Sequence, residues 1–253
     1  MTVKSSYEPG HPIWVDLATP DIDATVAFYG ALFGWTCDQS RSEEFGGYSN
    51  FSLDGKLVAG VMPLMAPEMP PVWSCYVCTD DADKTTSLVT EAGGTVMAPP
   101  MQVAELGTMA VYFDPTGAAF GIWQPGTHGG SELIDVEGAP TWIELSTRDK
   151  SAALDFYAAV FGWGAQVTPD YTEFQQGGSS VAGCMDMNPM VPAEVPSYWM
   201  PYFAAGDPRA KAEQVASLGG TILLPFMEFA GGTFSVVQDP HGSTFGLLNL
   251  TQG

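Results

Sequence analysis

Residues 14–35 read WVDLATPDIDATVAFYGALFGW, and residues 142–163 read WIELSTRDKSAALDFYAAVFGW. The two stretches align without a gap at an offset of 128 residues, and both end in the letters FGW. The match resumes later, where DPTG at residues 114–117 corresponds to DPHG at residues 239–242. Rare aromatic residues and glycines do not keep their order by chance over such distances. The chain therefore contains two homologous halves.

Within each half, the hydrophobic pattern predicts a repeated module. Residues 13–18 alternate in polarity and include β-branched and aromatic side chains, which is typical of a strand. Asp21 or Asp23 can cap the helix that follows, and Gly34 is expected to end it. Three short strands should come next, around residues 35–40, 46–53 and 57–63.

The same pattern then restarts inside the half. A strand at 72–79 and a helix at 81–92 precede strands near 95–98, 108–113 and 118–124. Each half therefore consists of two βαβββ modules, and the whole chain is predicted to be α+β with four modules. The Gly/Pro-rich stretch between the halves suggests an N-terminal domain at 1–126, a linker at 127–139 and a C-terminal domain at 140–253.

Composition excludes several classes of partner. The 253 residues carry 29 acidic against 8 basic side chains, a formal net charge of −21. Nucleic acids and anionic membrane surfaces both require clustered Lys and Arg, so neither is an expected partner. No apolar run approaches the ~18 residues that a membrane span needs. Four scattered cysteines are too few for a disulfide framework, which favours a reducing, cytoplasmic location.

The order of motifs resembles the vicinal oxygen chelate superfamily. A first strand precedes a helix with the pattern D-x-x-x-x-x-x-F-Y, then come F-G-W and a D-P-x-G turn before the last strand. That superfamily includes glyoxalase I, extradiol dioxygenases and bleomycin-binding proteins. The resemblance covers nearly all of the chain and implies that the four modules form two glyoxalase-like open β-barrels. The tandem form is similar to actinobacterial hydroxylases, some of which are found beside aromatic polyketide pathways.

The same resemblance implies three metal-ligand positions in each half, and this sequence lacks a suitable side chain at all of them. The first position is Trp14 or Trp142, the third is Gly121 or Gly246, and the second lies within residues 72–74 or 198–200. Indole does not bind hard or borderline cations, and glycine offers no side chain. The three histidines have no partner at ligand spacing. We therefore expect no metal, and the absence of a dinucleotide or phosphate-binding motif predicts no other cofactor.

An aromatic pocket with a carboxylate beside it takes the place of the metal in the predicted cavity. Strand alternation puts Trp14 and Asp16 on one face, which the resemblance points into the cavity, and Trp142 and Glu144 repeat this arrangement. The other face should then hold Ile13, Val15 and Leu17. Burial should raise the pKa of such an acid and suit it to general acid–base catalysis near neutral pH. The alternative is that both acids serve only as structural hydrogen-bond acceptors.

Other residues are expected to complete the cavity. Tyr48 and Tyr171 are candidates to hydrogen-bond a developing oxyanion. The remaining candidates provide flat apolar walls for a planar ligand, and they are Phe51, Trp73 and Trp123 in the first half with Phe174, Trp199 and Tyr202 in the second.

Two kinds of function fit this prediction. The first is a metal-independent enzyme that oxygenates or cyclises a planar, hydrophobic aromatic molecule of polyketide type. The second is a protein that binds and sequesters a small molecule without changing it. A metal-dependent lyase or dioxygenase with misplaced ligands is a weaker alternative. The sequence leaves open which cavity is active, how the modules pair and what the oligomeric state is.

Overall fold

The computed structural model describes residues 2–38, 46–169 and 171–251, and it contains the βαβββ module four times. The elements of the first half are β1 (Thr2–Val3), β2 (Pro12–Thr19), α1 (Ile22–Phe33), β3 (Thr36–Cys37), β4 (Ser49–Leu53), β5 (Lys56–Pro63), β6 (Val72–Cys78), α2 (Ala82–Glu91), β7 (Thr95–Val103), β8 (Gly107–Phe113) and β9 (Ala119–Pro125). The part of the predicted strand 35–40 beyond residue 38 lies outside the described residues.

The second half repeats this order after one short strand of the linker. Its elements are β10 (Leu133–Ile134), β11 (Pro140–Thr147), α3 (Lys150–Phe161), β12 (Gly164–Val167), β13 (Thr172–Gln176), β14 (Ser179–Asp186), β15 (Tyr198–Ala204), α4 (Pro208–Ser217), β16 (Thr221–Phe229), β17 (Gly232–Gln238) and β18 (Thr244–Leu250).

Each half builds its own eight-stranded mixed sheet, so the modules pair within a half. The strand orders are β3-β4-β5-β2-β6-β9-β8-β7 and β12-β13-β14-β11-β15-β18-β17-β16. The first strands of paired modules, β2 with β6 and β11 with β15, meet antiparallel at the centre of each sheet. The predicted α+β class with four modules is confirmed, and the two sheets are open because their edge strands stay unpaired with each other.

Local chemistry explains where the helices begin and end. The side chain of Asp21 accepts a hydrogen bond from the backbone N–H of Ala24 at 3.0 Å, and Gly34 adopts the left-handed conformation with a φ of 76°. Asp149 and Gly162 do the same for α3. A carboxylate that satisfies a free N–H at one end, and a residue without Cβ at the other, fix the length of both helices.

Two elements differ from the prediction. The predicted strand at 95–98 continues through Pro99 and Pro100 as β7, because an edge strand loses no ladder bond where proline lacks an N–H. The predicted linker contains β10, which pairs with β1 at the opposite end of the half. The domain limits at 126 and 140 remain predictions.

One hydrophobic core runs through both halves. It includes Tyr29 and Trp35 from α1 and its following loop, together with Phe203 and Phe245 from the second half. The indole Nε1 of Trp35 donates to the carbonyl of Gly138 at 2.8 Å. By the same geometry, Nε1 of Trp163 donates to the carbonyl of Gly10 at 2.7 Å. The halves therefore dock around an approximate two-fold relation.

Buried tyrosines reinforce this interface. The hydroxyl of Tyr29 donates to Oδ2 of Asp239 at 3.3 Å, and the hydroxyl of Tyr157 donates to Oδ2 of Asp114 at 3.0 Å. Each bond joins the first helix of one half to the D-P-x-G turn of the other. Among the described residues, no helix is both long and apolar enough to cross a bilayer.

Candidate functional site

The face of each sheet that points away from the shared core carries a carboxylate surrounded by aromatic side chains. We call these faces the first cup, with Trp14, Asp16, Tyr48, Tyr76 and Trp123, and the second cup. The corresponding residues of the second cup are Trp142, Glu144, Tyr171, Tyr202 and Leu248.

In the first cup, a hydrogen-bonded chain leads from indole to carboxylate. Nε1 of Trp14 donates to the hydroxyl of Tyr48 at 2.8 Å, and that hydroxyl donates to Oδ2 of Asp16 at 3.3 Å. Tyr76 and Ser74 also hydrogen-bond to the carboxyl group. Asp16 is 4% exposed, and this burial raises its pKa to about 6 despite the three hydroxyl donors, which act in the opposite direction.

The second cup repeats the chain with a glutamate. Nε1 of Trp142 donates to the hydroxyl of Tyr171 at 3.0 Å, and that hydroxyl donates to Oε2 of Glu144 at 2.7 Å. The other carboxylate oxygen, Oε1, accepts a hydrogen bond from the hydroxyl of Tyr202 at 2.9 Å. Burial raises the pKa of Glu144 as well, while the two tyrosine bonds lower it.

The tyrosine hydroxyls are hydrogen-bond donors to the carboxylates in both cups. Burial, followed by the nearby negative charge of Asp16, raises the pKa of Tyr48 and Tyr76 well above its ordinary value. Burial and Glu144 do the same to Tyr171 and Tyr202. These hydroxyls therefore stay protonated near neutral pH, and the carboxylates to which they hydrogen-bond are the members of these chains that can accept a proton.

Ionisation of Asp16 is expected to reduce stability as the pH rises from about 4 to about 6. The unfolded carboxyl group loses its proton near 3.8, but in the folded protein it keeps the proton until about 6. The stabilising contribution is thus complete below 3.8 and is lost as the pH rises through 6. Urea denaturation measures the free energy of unfolding of the protein and of Asp16→Asn. Between about pH 4 and pH 6 the difference between these two free energies should shift by roughly 1 to 3 kcal/mol in favour of the variant. A difference independent of pH would contradict the raised pKa.

The metal-ligand positions implied by the resemblance do not fit a cation. A Cβ at Gly121 would overlap the ring of Tyr76, and a Cβ at Gly246 would overlap the ring of Tyr202, so tyrosine rings fill the space of the third ligand. Trp14 uses its indole N–H for Tyr48 and has no lone pair to offer. No cluster of three or more His, Cys, Asp or Glu residues suited to a metal occurs among residues 2–38, 46–169 and 171–251.

Four predicted wall residues were assigned to the wrong face. Phe51, Trp73, Phe174 and Trp199 belong to the shared core on the opposite side of the sheets. Nε1 of Trp73 donates to the hydroxyl of Tyr29 at 3.1 Å, and the corresponding bond of Trp199 goes to Tyr157. In β6 and β15 the cup side chains are the even-numbered ones, so Trp73 and Trp199 face the helices.

Ile13 also departs from simple alternation. It packs with Trp14 in the cluster of the first cup rather than with Val15 and Leu17, which lie in the shared core. The register shift between Pro12 and Trp14 explains this, because a bulge places neighbouring side chains on the same face.

Two residues of the first cup were missed by the sequence prediction. Tyr76 holds the carboxyl group of Asp16, and strict alternation along residues 72–78 would have placed it beside Ser74. His128 of the linker packs edge-on to Trp14 with ring centroids 4.5 Å apart. No sequence signal indicated the position of His128, because the linker carries no periodicity.

A separate cavity of about 230 Å³ lies between the halves. Its lining includes Tyr7, His11, Trp14, Trp142 and Val181. Asp16 and Glu144 are not in the lining, but Trp14 and Trp142 are, and each of these indoles leads by hydrogen bonds to one of the two carboxylates.

Comparison with known proteins gives consistent matches. Residues 11–122 match the model of the Glyoxalase/Bleomycin resistance protein/Dioxygenase superfamily, and residues 142–248 match that of a glyoxalase-like domain. CFP32 of Mycobacterium tuberculosis is 38% identical over 258 residues, which cover 98% of each chain. The anthracycline biosynthesis protein DnrV of Streptomyces peucetius is 38% identical over 265 residues, covering 98% of this chain and 96% of its own.

Among solved structures, the Mn(II)-bound glyoxalase from Novosphingobium aromaticivorans is similar with a TM-score of 0.66. The similarity covers 95% of this chain and 82% of that chain at 16% sequence identity. At that level of identity the likeness establishes the fold alone.

Proposed function

Because the chain belongs to the Glyoxalase/Bleomycin resistance protein/Dioxygenase superfamily, we propose that it is a metal-independent tailoring enzyme for a planar, hydrophobic aromatic molecule. The reaction is an oxygenation, such as hydroxylation, or a ring formation, and a buried carboxylate acts as the acid and base. The observation that carries the proposal is the chain from indole through tyrosine to carboxylate, present in both cups.

The proposed first step is removal of a proton from a phenol or an activated carbon of the substrate. Near neutral pH a carboxyl group with a pKa of about 6, such as Asp16, is mostly ionised and can accept that proton. The electron pair stays on the substrate as a phenolate or an enolate. Once protonated, the carboxyl group is a weaker acceptor, so the hydroxyl of Tyr48 or Tyr171 can turn to the new oxyanion. In the ring-forming reaction, the electron-rich carbon attacks an electrophilic carbonyl carbon of the same molecule, and the carboxyl group returns its proton to the new alkoxide. In the oxygenation, the carbon bonds to dioxygen, the peroxide takes the proton back from the carboxyl group, and loss of water from this hydroperoxide leaves a carbonyl group without an external reductant.

The class of substrate is supported by two features. Rings and indoles line both cups, and such walls suit flat apolar molecules. DnrV, which is similar to this chain over nearly its whole length, is named as an anthracycline biosynthesis protein. We therefore propose an aromatic polyketide as the substrate of this chain. A cytoplasmic location is likewise proposed, and the buried thiols of Cys75, Cys78 and Cys184, which form no disulfide, support it.

Sequestration of the same kind of molecule is the competing function. Sequestration would need the aromatic walls but not the carboxylate. Asp16 is buried and hydrogen-bonded by tyrosine hydroxyls, and these contacts alone would suffice if its role were only to stabilise the fold. Mass analysis of a candidate aromatic polyketide after incubation with the protein separates the two functions, because sequestration leaves the mass unchanged.

The double variant Asp16→Asn/Glu144→Gln tests the proposal. It keeps the size and an acceptor oxygen at each position but removes the base, so turnover should fall at least about 100-fold while ligand affinity is retained. Turnover would be followed by mass analysis and affinity by calorimetry. Full turnover in the double variant would remove the mechanism, and tight binding of unchanged molecules to both proteins would favour sequestration.

A further inference from the structure

The cavity between the halves is built from the same segment of each half. Residues 12–15 of β2 and residues 140–143 of β11 all belong to its lining. Both strands shift register within that segment, at equivalent places in the repeat. Such bulges redirect side chains and are common next to active sites. Trp14 and Trp142 consequently line one and the same cavity, where a single bound molecule can contact both indoles.

The walls of the cavity suit a small aromatic molecule. Besides the two indoles, the apolar lining consists of Ile13, Val15, Ile134, Ile143 and Val181. Its volume of about 230 Å³ lies between the ~150 Å³ that holds one benzene and the ~300 Å³ at which sites for drug-sized ligands begin. A molecule of one or two rings therefore fits, and indoles provide flat surfaces against which such rings pack.

The lining also contains a lysine without an acidic partner. Lys4 directly follows β1, is half-buried, and forms no ion pair within the part of the chain that the structure describes. Its ammonium group lies 5.7 Å from the centroid of the Tyr7 ring. Glu132 is its neighbour on β10, but that carboxylate pairs with Lys56 at 3.7 Å and accepts the backbone N–H of Leu57. In a chain with 29 acidic and 8 basic residues, Lys4 is thus available to an anionic group of a ligand.

The one acid in the lining lies at the other end of the small β1–β10 sheet. The register of this sheet places the backbone of Asp135 three residues, or about 10 Å, away from that of Lys4 along the strands. Asp135 is exposed, and its carboxylate accepts the hydroxyl of Thr141 at 2.8 Å. Water and salt screen an exposed charge more than a half-buried one. Lys4 therefore determines which charge the cavity favours.

We propose that this cavity binds one aromatic acid of one or two rings, with the rings against Trp14 and Trp142 and the carboxylate toward Lys4. The inference goes beyond the proposed function, because binding requires no reaction at Asp16 or Glu144. A molecule held there contacts both hydrogen-bonded chains at once, since each indole donates to the tyrosine that holds the carboxylate of its cup.

Calorimetric titration of the full chain with 2-naphthoate should give one molecule per chain. The neutral 2-naphthamide should bind at least about fivefold more weakly, because it loses the charge-assisted contact with Lys4. Lys4→Gln should remove this preference and leave the affinity for the amide within about twofold. Lys84→Gln is the matched control. Lys84 is exposed on α2, outside the lining, and likewise forms no ion pair among residues 2–38, 46–169 and 171–251, so the preference should persist.

Two neighbouring serines of β14 test where the molecule binds. Ser180 and Ser179 are both exposed, but Ser180 belongs to the lining of the cavity and Ser179 does not. Ser180→Trp should fill the cavity and weaken binding of 2-naphthoate at least about tenfold. Ser179→Trp adds the same bulk outside the cavity and should leave the affinity within about twofold.

The outcomes separate this inference from the proposed function. Absence of binding, two molecules per chain, equal affinity for the acid and the amide, or equal losses in either matched pair of variants would overturn the inference. The proposed function would still stand, because it is tested by turnover in Asp16→Asn/Glu144→Gln. Conversely, full turnover in that double variant would remove the proposed mechanism and leave the binding of 2-naphthoate as expected here.

Discussion

Asp239→Ala is expected to lower the free energy of unfolding by about 3 to 5 kcal/mol, because one buried carboxylate satisfies three donors. Oδ1 accepts the backbone N–H groups of His241 and Ser243, each at 2.9 Å, and Oδ2 accepts the hydroxyl of Tyr29 from the other half. Asp239 is 3% exposed, so water cannot replace it without opening the turn. The change therefore weakens both the D-P-x-G turn and the interface between the halves.

Two controls isolate the cause of that loss. Asp239→Asn keeps an acceptor for the turn and should lose clearly less than alanine does. Asp155→Ala removes an exposed acid from α3 and should change stability by no more than about 0.5 kcal/mol. Urea unfolding measures all three variants, and a loss below about 1 kcal/mol in Asp239→Ala would show that the buried bonds are not important for stability.

Gly246→Ala is expected to cost about 3 kcal/mol, the upper part of the usual range for overpacking. The new Cβ would overlap the ring of Tyr202, which is held in place by its hydrogen bond to Glu144. The ring cannot swing away without leaving that carboxylate short of a donor. The substitution should therefore destabilise the fold and also disturb the second cup.

A double-mutant cycle tests this explanation. In a Tyr202→Ala background the ring is absent, so adding Gly246→Ala should cost far less than it does alone. Gly164→Ala is the matched control, since the nearest atom to a Cβ there is 3.9 Å away. Equal costs of Gly246→Ala in both backgrounds would show that the overlap with Tyr202 is not the cause.

Features encoded locally could be predicted from the sequence. The 128-residue repeat divided the chain into two halves, and the hydrophobic pattern that restarts inside each half gave four modules. Asp21, one of two predicted caps, and Gly34 mark the ends of α1. Alternation along β2 placed Trp14 and Asp16 on the same face, where the structure joins them through Tyr48. These predictions succeeded because they depend on neighbours within a few residues.

Features that depend on docking could not be predicted in the same way. Trp73 and Trp199 looked like cavity walls because they are aromatic, yet the tyrosine that each one contacts lies on a helix behind the sheet. The position of His128 depends on how the linker returns to residues 105–106, which no periodicity encodes. Whether the carboxylates are catalytic remains a proposal, since a buried acid serves structure and chemistry with the same geometry.

The continuous core has an evolutionary consequence. Each half buries aromatic side chains of the other half. If one half were deleted, Trp35 or Trp163 would lose the backbone carbonyl to which its indole donates across the interface. A gene duplicated in this way cannot easily shed one copy, even after that copy stops contributing chemistry. A half that lost its chemistry would persist as a scaffold, and its cleft would then be free to diverge from that of its twin.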